Sequence, residues 1–412
     1  MTRTICVAGL ASVFCALTSA SVVAATLQEQ IDHAARGATI VVRGGVHPGP
    51  LVIRQPLILV GENRPVIQGA GKGKVVHIAA DHVTVRGFHI RGSGLALFDD
   101  DAAVFVTANR VTIEDNIIDD SLHGVYLKKA DDCCILGNRI TGKTTIQVEK
   151  GSIEAGIGVS PENCDPGTLV TNRRGNGIHL WNCERTTIRG NEISEARDGI
   201  YLSFANHTEC DGNIVHHVRY GLHYMYSDDN VFTRNRFSEN AAGAALMFSK
   251  RLTIRGNQFA NNRGFRAYGL IFQSMDDCRL EANAIAHNAV GISFNQCNRN
   301  QVVGNHITAN YIGLRFGSNS DENGFALNQF RRNLHPVEIA GENGSNHWSV
   351  AGVGNYWEGA APLDLDGDHV NDLPHRELDL LGVLRRDFPT ISLLSESPAL
   401  KLLRLAHERA AL

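Results

Sequence analysis

The sequence predicts an all-β protein folded as a right-handed parallel β-helix, a solenoid with coils of about 22 residues. Two residue types repeat at this period. An asparagine recurs at steps of 22, 22, 22, 26, 22 and 23 residues, at Asn191, Asn213, Asn235, Asn257, Asn283, Asn305 and Asn328. A glycine recurs in step with it, at Gly177, Gly199, Gly221, Gly243, Gly269, Gly291 and Gly313. Self-similarity at a fixed period of about 20–50 residues indicates a solenoid.

Apolar residues alternate with other residues around each glycine, which predicts a strand with one buried face. The positions one and three after the glycine are nearly all apolar, as Ile200 and Leu202 illustrate. Apolar residues also flank the asparagines, for example Ile188 and Ile193, and predict a second strand. The recurring asparagine is expected at a bend, because asparagine tolerates left-handed backbone and bonds its own backbone.

Residues 1–25 are typical of a secretory signal peptide, with Arg3 ahead of an apolar run over 5–23 and small residues at the end. The alternative is an uncleaved membrane anchor. No later run is long and apolar enough to span a bilayer, so the mature chain is expected to be exported. A net charge of −4 without a Lys/Arg-rich block gives no indication of nucleic-acid binding.

The predicted β-helix covers residues 26–354. A short helix over 27–36 is expected to cap its open end, since unpaired strand edges invite pairing with another chain. Asn116 and Asn138 continue the asparagine series toward the N-terminus. The step of 53 residues from Asn138 to Asn191 predicts an insertion at about 142–174 that leaves the solenoid as a loop.

The cysteines predict no disulfide framework. Two of the nine lie in the signal peptide, and the seven others are Cys133, Cys134, Cys164, Cys183, Cys210, Cys278 and Cys297. An odd number in an oxidising compartment leaves at least one free thiol or an intermolecular bond. Cys210 lies in an apolar column of the repeat, so it is expected to be a small buried hydrophobic residue.

Residues 355–412 form a predicted tail with an acidic loop and an amphipathic helix. The acids that resemble a calcium loop around Gly367 are Asp364, Asp366, Asp368 and Asp372. The loop lacks the glycine position and the final glutamate of an EF-hand, and a solvated acidic turn is the alternative. The helix predicted over 398–412 either packs on the solenoid end or docks on a partner or membrane surface.

Two columns of side chains are predicted on the outer face of the solenoid, two and four residues after each glycine. The +2 column contains His179, Tyr201, His223, Ala245, Ile271, Ser293 and Arg315. The +4 column contains Trp181, Ser203, Met225, Met247, Gln273, Asn295 and Gly317.

Methionines and a histidine in these columns predict a copper site. Beyond the initiator the chain has three methionines, and two of them, Met225 and Met247, share the +4 column on successive coils. Met275 follows at position six of the next coil, and His223 precedes Met225 by two residues. Thioethers beside an imidazole suit Cu(I). The alternative is that the methionines fill gaps in packing.

Other polar residues predict weaker sites. The column four residues after each asparagine contains Glu195, His217, Glu239, Asn261 and His287. It is expected to form a surface hydrogen-bond ladder, although His216 and His217 together remain metal candidates. Asp99–Asp101 and the pair Asp119 and Asp120 offer carboxylates for sugar chemistry, but no basic residue shares a column with them.

Several stretches resemble the NosD family. They are Gly175–Leu180, Arg197–Tyr201, Arg219–Ser227, Gly243–Met247, Asn355–Trp357, Asp364–Asp368 and Ser397–Leu400. The resemblance covers nearly the whole mature chain, and the His-Tyr-Met stretch at 223–225 is its most specific part. The insertion at 142–174 is longer than expected for the family, and His369 stands where a glycine is expected.

The resemblance implies a non-enzymatic periplasmic protein that works with an ABC transporter, whose ATPase and membrane subunits are separate chains. It implies that the protein takes Cu(I) from a lipoprotein copper chaperone and helps load the copper sites of nitrous oxide reductase. Membrane contact is then peripheral, through the transporter. The expected ligands are His223, Met225 and Met247, with Met275 or His179 as additional candidates.

Two other function classes compete with this interpretation. An exported β-helix lyase or epimerase acting on an acidic polysaccharide would need Lys, Arg and Asp in neighbouring columns and calcium. The two outer columns contain one basic residue, Arg315. A carbohydrate-binding or adhesive solenoid would show aromatic ladders, for which only Trp181 and Tyr201 qualify.

Overall fold

A computed structural model describes residues 25–144, 174–263, 267–317, 319–339 and 345–358, together with 365, 367, 397–399 and 402. Within these residues the predicted parallel β-solenoid is confirmed. The chain forms about 12 coils, and each coil contributes one strand to each of three sheets. All strand pairs between coils are parallel, and the one helix in this part of the chain lies at the N-terminal end.

Several predicted features lie outside the described residues. These are residues 1–24 of the signal peptide predicted over 1–25, residues 145–173 of the insertion predicted at about 142–174, the acidic residues Asp364, Asp366, Asp368 and Asp372, and most of the helix predicted over 398–412.

The three sheets have these strands within the described ranges. Sheet 1 consists of Thr39–Arg43, Ile58–Glu62, Thr84–Arg86, Thr112–Glu114, Cys134–Leu136, Thr187–Arg189, Glu209–Asp211, Val231–Thr233, Thr253–Arg255, Arg279–Glu281, Gln301–Val303 and Gly324–Ala326. Sheet 2 consists of Val46–Pro48, Val66–Gln68, His89–Arg91, Ile117–Ser121, Arg139–Gly142, Glu192–Ser194, Ile214–His216, Arg236–Ser238, Gln258–Ala260, Ala284–Ala286, His306–Thr308, Gln329–Arg331 and Tyr356–Trp357. Sheet 3 consists of Leu51–Ile53, Val76–Ile78, Ala102–Val106, His123–Lys128, Ile178–Glu184, Asp198–Asn206, Tyr220–Met225, Ala242–Lys250, Tyr268–Asp276, Val290–Asn295, Ile312–Phe316 and His335–Ile339.

The helix Leu27–His33 caps the first coil, as expected. Thr26 and Glu29 form a reciprocal capping box at its start, which satisfies backbone donors that the helix leaves free. The side chain of Gln28 bonds both the N–H and the C=O of Val52 at the edge of sheet 3. Ile31 is buried in the core of the solenoid. The helix therefore covers the open end of the core and occupies backbone groups that would otherwise be free.

The glycine of each coil is required for close approach of neighbouring coils. A Cβ atom on Gly221 would lie 2.6 Å from the carbonyl oxygen of Gly243 and 2.7 Å from Cδ1 of Phe237. The same clash recurs along the column, because each glycine contacts the carbonyl of the next one. Between Gly177 and Gly313 a side chain at this position would meet the neighbouring backbone, which explains the repeat of glycine in these coils.

The asparagines stabilise the solenoid in a different way from the one expected. Asn235 is buried, and its Nδ2 donates to the carbonyl of Cys210 at 2.9 Å and to Oδ1 of Asn257 at 2.9 Å. Its Oδ1 accepts from the backbone N–H of Asn213 at 2.9 Å. The left-handed residue is the preceding one, Arg234, with φ of 53°. The side chain therefore links coils, and its neighbour makes the bend.

Six cysteines lie in the described part of the chain, and all six are free thiols. Cys210 is fully buried, as predicted. No helix in the described ranges is long and apolar enough to cross a membrane.

Candidate functional site

The outer face of sheet 3 contains a third column of side chains besides the two that the sequence predicts. This −1 column precedes the glycines and contains His123, Asn176, Asp198 and Tyr220. Its side chains contact the +2 column: Asp198 bonds His223, and the rings of Tyr220 and His223 are 5.2 Å apart. We call the resulting surface the histidine face, defined as His123, Tyr126, His179, Asp198, Tyr201 and His223.

Imidazole and phenol rings stack along the histidine face from coil to coil. His179 lies parallel to Tyr126 with ring centroids 4.1 Å apart, and Tyr201 meets it edge-on at 4.6 Å. Tyr201 in turn meets His223 edge-on at 4.8 Å. Because Tyr201 stands between them, His179 and His223 are two coils apart, roughly 9–10 Å along the strand stacking direction. His179 therefore does not join His223 and the methionines, in contrast to the sequence-based expectation.

A buried aspartate orients His223. Oδ2 of Asp198 lies 2.8 Å from Nδ1 of His223, and Asp198 also accepts two hydrogen bonds from the guanidinium of Arg219, at 2.8 and 2.7 Å. Burial raises the pKa of Asp198, but the hydrogen bonds from His223 and Arg219 outweigh it and hold the pKa below its usual value. The carboxylate is therefore ionised, and Nε2 of His223 is left for another partner.

The other two histidines of the face are kept neutral by their surroundings. Burial lowers the pKa of His123 to about 4, and burial together with nearby His123 lowers the pKa of His179 well below its usual value. Nδ1 of His123 accepts the backbone N–H of Asn176 at 3.0 Å, which places the proton of neutral His123 on Nε2. These rings can serve as hydrogen-bond partners or ligands near neutral pH without first losing a proton.

The structure brings His223, Met225 and Met247 onto one face. Met225 and Met247 are direct register partners in neighbouring strands, which places their backbones about 4.8 Å apart. His223 lies two residues before Met225 on the same strand, about 7 Å along it. The Oη of Tyr201 lies 3.9 Å from Sδ of Met225. All three candidate ligands are partly exposed, so a small ion can reach them from solvent.

Met275 is not part of this face. It is completely buried in the solenoid core, where its register partner is Ser249. The reason is local: Ser274 has φ of 53°, and this left-handed residue interrupts the two-residue alternation of the strand. The side chain after it turns inward. The sequence-based placement of Met275 among the outer ligands was wrong, because it extended the alternation through the corner.

Three exposed aromatic rings border the methionines at that same corner. Phe204, Tyr226 and Phe248 occupy successive coils, and their rings stack with centroids 5.3 and 5.2 Å apart. Each has a positive φ, which is unusual for a bulky residue. This strip is a solvent-exposed apolar border to the +4 column.

Sequence reasoning missed several residues of the histidine face. His123 and Tyr126 follow the repeat once Gly124 is aligned with Gly177, but the 53-residue step hid that register. Asp198 was missed because the −1 column was not expected to turn outward, and Arg219 because it lies one residue before that column, next to Tyr220. Basic and acidic groups therefore lie beside the +2 column, whereas the sequence analysis found Arg315 as the one basic residue in the two outer columns.

The described ranges contain no group of three or more His, Cys, Asp or Glu side chains arranged to hold a metal ion.

Comparisons with known proteins identify relatives of the chain. Residues 161–361 match the family model for NosD, described as a periplasmic copper-binding protein. The chain is 34% identical over 375 residues to the "probable ABC transporter binding protein NosD" of Pseudomonas aeruginosa, covering 87% of this chain and 82% of the relative. It is 32% identical over 377 residues to the protein of that name from Stutzerimonas stutzeri, covering 87% and 80%.

Solved structures share the fold at low identity. The mannuronan C-5 epimerase AlgE6 A-module of Azotobacter vinelandii matches with a TM-score of 0.58 and 14% identity, over 78% of this chain and 93% of that one. The catalytic domain of a GH87 alpha-1,3-glucanase matches with a TM-score of 0.51 and 10% identity, over 81% and 68%. At such identities the likeness concerns the solenoid fold alone.

Proposed function

The chain belongs to the NosD family, and from that premise we propose that it is a periplasmic accessory protein that binds Cu(I). In this proposal it works with an ABC transporter and helps to mature the copper sites of nitrous oxide reductase. The main support for the copper site is the hydrogen bond between Asp198 and Nδ1 of His223, which lies near the thioethers of Met225 and Met247.

The ligand set supports Cu(I) on chemical grounds. A histidine that ligates a metal commonly donates its other ring N–H to a carboxylate, which fixes the ring and raises its basicity. Asp198 has this relation to His223, and Arg219 holds Asp198 in place. Thioether sulfurs are soft donors that prefer Cu(I) to harder divalent ions. Nε2 of His223 with the sulfurs of Met225 and Met247 is therefore the proposed ligand set.

The openness of the site supports transfer rather than storage. The three ligands stand on the outer surface of the sheet instead of inside a cage, and their side chains are partly exposed. An incoming ligand from a second protein can therefore replace them one at a time. This fits a carrier that receives copper from a lipoprotein chaperone and passes it to nitrous oxide reductase.

The names of the two relatives, probable ABC transporter binding proteins, support an ABC transporter as a partner of this chain. We propose contact through the end of the solenoid and the helix predicted over 398–412, so that this chain meets the membrane only peripherally. The expected calcium at Asp364, Asp366, Asp368 and Asp372 stays a separate proposal.

A competition titration tests the copper site. Reduced protein is titrated with Cu(I) against a chromogenic chelator under anaerobic conditions, beside the Met225→Leu/Met247→Leu variant. We expect the variant to lose Cu(I) binding and to keep its circular dichroism spectrum, because both side chains lie outside the core. Binding of equal strength in both proteins would refute the site.

Met275→Leu is the matched control. It removes the same thioether, but from the buried core, where leucine has nearly the same volume. We expect this variant to bind Cu(I) as the wild type does. Loss of Cu(I) binding in Met275→Leu would show that replacing a methionine weakens binding by destabilising the fold and not by removing a ligand.

A second function is favoured by one observation. Arg197 and Arg219 lie near Tyr201, and Arg219 bonds Asp198, which places basic, acidic and phenolic groups on one outer face, as a lyase or epimerase for acidic polysaccharides requires. Incubation with polymannuronate or polygalacturonate distinguishes the two functions. Formation of unsaturated uronate, or of uronate residues inverted at C5, that is lost in Tyr201→Phe would favour the enzyme. Cu(I) binding without either product would favour the carrier.

A further inference from the structure

A second cluster of nitrogen donors lies on the outer surface of sheet 2, away from the histidine face. His216 is the last residue of the strand Ile214–His216, and His217 follows it at the corner. Adjacent residues of a strand normally point to opposite sides. His217 has φ of 55°, and this left-handed backbone turns both side chains to the same side.

The two rings converge through the same type of nitrogen. Nδ1 of His216 lies 2.7 Å from Nδ1 of His217. Nitrogen–metal distances of about 2.0–2.1 Å place two adjacent ligand nitrogens about 2.9–3.3 Å apart. The pair therefore needs to open by only a few tenths of an ångström to bind one ion.

Carboxylates face the opposite edge of each ring. Nε2 of His217 is 3.3 Å from Oε2 of Glu239, and Nε2 of His216 is 3.9 Å from Oε1 of Glu192. These carboxylates favour N–H on Nε2 and hence a lone pair on Nδ1. Two lone pairs at this distance repel each other unless a proton or a cation lies between them. The carboxylate–histidine–metal arrangement seen at metal sites has this form.

We propose that His216 and His217 form a Cu(II) site, with both Nδ1 atoms as ligands and water in the remaining positions. Imidazole nitrogen and water oxygen suit Cu(II), and the order of divalent affinities places Cu(II) above Zn(II) and Ni(II). The site has two protein ligands, so it binds more weakly than a closed site. It is independent of the proposed Cu(I) site, because it shares no residue with it.

The neighbouring coils supply variants that keep the fold. Ser194 and Ser238 are the register partners of His216, so His216→Ser places a residue that the column already holds. Asn261 occupies the corner position of His217 two coils later with φ of 56°, so His217→Asn suits the left-handed backbone. His287→Asn is the matched control: it has the same corner position, with φ of 57°, but follows Ala286.

Cu(II) titration of the full protein, followed by calorimetry and electron paramagnetic resonance, tests the site. We expect a wild-type spectrum with hyperfine coupling to two nitrogens, and Cu(II) affinity about tenfold or more weaker in His216→Ser and in His217→Asn. The His287→Asn and Met225→Leu/Met247→Leu variants should bind Cu(II) as the wild type does. Equal Cu(II) affinity in wild type and in the His216→Ser/His217→Asn double variant would overturn the proposal.

Discussion

Asp198 and His223 lie on successive coils of the solenoid, and Oδ2 of Asp198 is 2.8 Å from Nδ1 of His223. The aspartate side chain is almost completely buried, with 2% exposure, whereas the histidine side chain reaches solvent at 14%. The inner residue can therefore position the outer one without touching any ion that binds there.

The first prediction concerns this pair. Asp198→Asn should weaken Cu(I) binding by about tenfold to a hundredfold, because the amide no longer fixes the ring of His223 or raises its basicity. The same chelator competition measures the change. Asp211→Asn is the control, since Asp211 is also held by an arginine, Arg234, at 2.9 and 2.6 Å, but on sheet 1. Equal affinities of the two variants would contradict a positioning role for Asp198.

The second prediction concerns the asparagine ladder. Asn235→Ala leaves the backbone N–H of Asn213 and the carbonyl of Cys210 without their buried partner. We expect the free energy of unfolding to fall by about 3 kcal/mol, as for a buried polar group left unsatisfied. Urea unfolding followed by circular dichroism measures this. Asn295→Ala, which removes an exposed amide, should change stability much less.

The third prediction is a loss of stability in acid. Burial lowers the pKa of His123 from 6.5 to about 4 in the folded protein, so below pH 6.5 the unfolded chain binds more protons than the folded one. Stability should therefore fall as the pH falls from about 6.5 to about 4, by at most about 3 kcal/mol from this residue.

Unfolding of His123→Gln at several pH values tests that assignment. The variant should show a shallower decrease than the wild type over this range, although His179, whose pKa is also lowered by burial, still contributes to it. His306→Gln, at an exposed position of sheet 2, should keep the wild-type slope. An unchanged slope in His123→Gln would show that His123 does not contribute to the pH dependence.

The fourth prediction concerns thiol reactivity. Burial raises the pKa of Cys133, Cys278 and Cys297 to about 12 and that of Cys183 to about 11, and it also raises the pKa of Cys210. Since the thiolate is the reactive form, these five should resist alkylation in the folded protein. Cys134 is only partly buried, so among the described cysteines it should be alkylated first. Peptide mapping after brief maleimide treatment measures the order, and rapid labelling of Cys210 would contradict it.

The fold could be predicted because the solenoid repeats its constraints. In the coils from Gly177 to Gly313 a glycine recurs where Gly221 meets Gly243, and in the same coils a buried amide recurs where Asn235 meets Asn257. A requirement that recurs every 22 residues is visible in a single sequence. The repeat also assigns Met225 and Met247 to one column, which the strand register confirms.

The corners could not be predicted in the same way. A left-handed residue at Ser274 moves Met275 into the core, and Asp198, at the start of its strand, bonds His223 on the outer face. At both places the two-residue alternation stops, and the local backbone angle decides where the next side chain points. The left-handed residues at these corners include Ser274 and Phe204, so no single residue type marks them in the sequence.

The amino-acid sequence by itself determined the β-solenoid, its period and the outer column that contains the two methionines, because strand periodicity and coil stacking follow from residue spacing alone. Only the tertiary structure decided which polar groups meet. The bond between Asp198 and His223 and the convergence of His216 with His217 both depend on local backbone angles at the ends of strands. Those angles are set by contacts between coils, which a linear pattern does not contain.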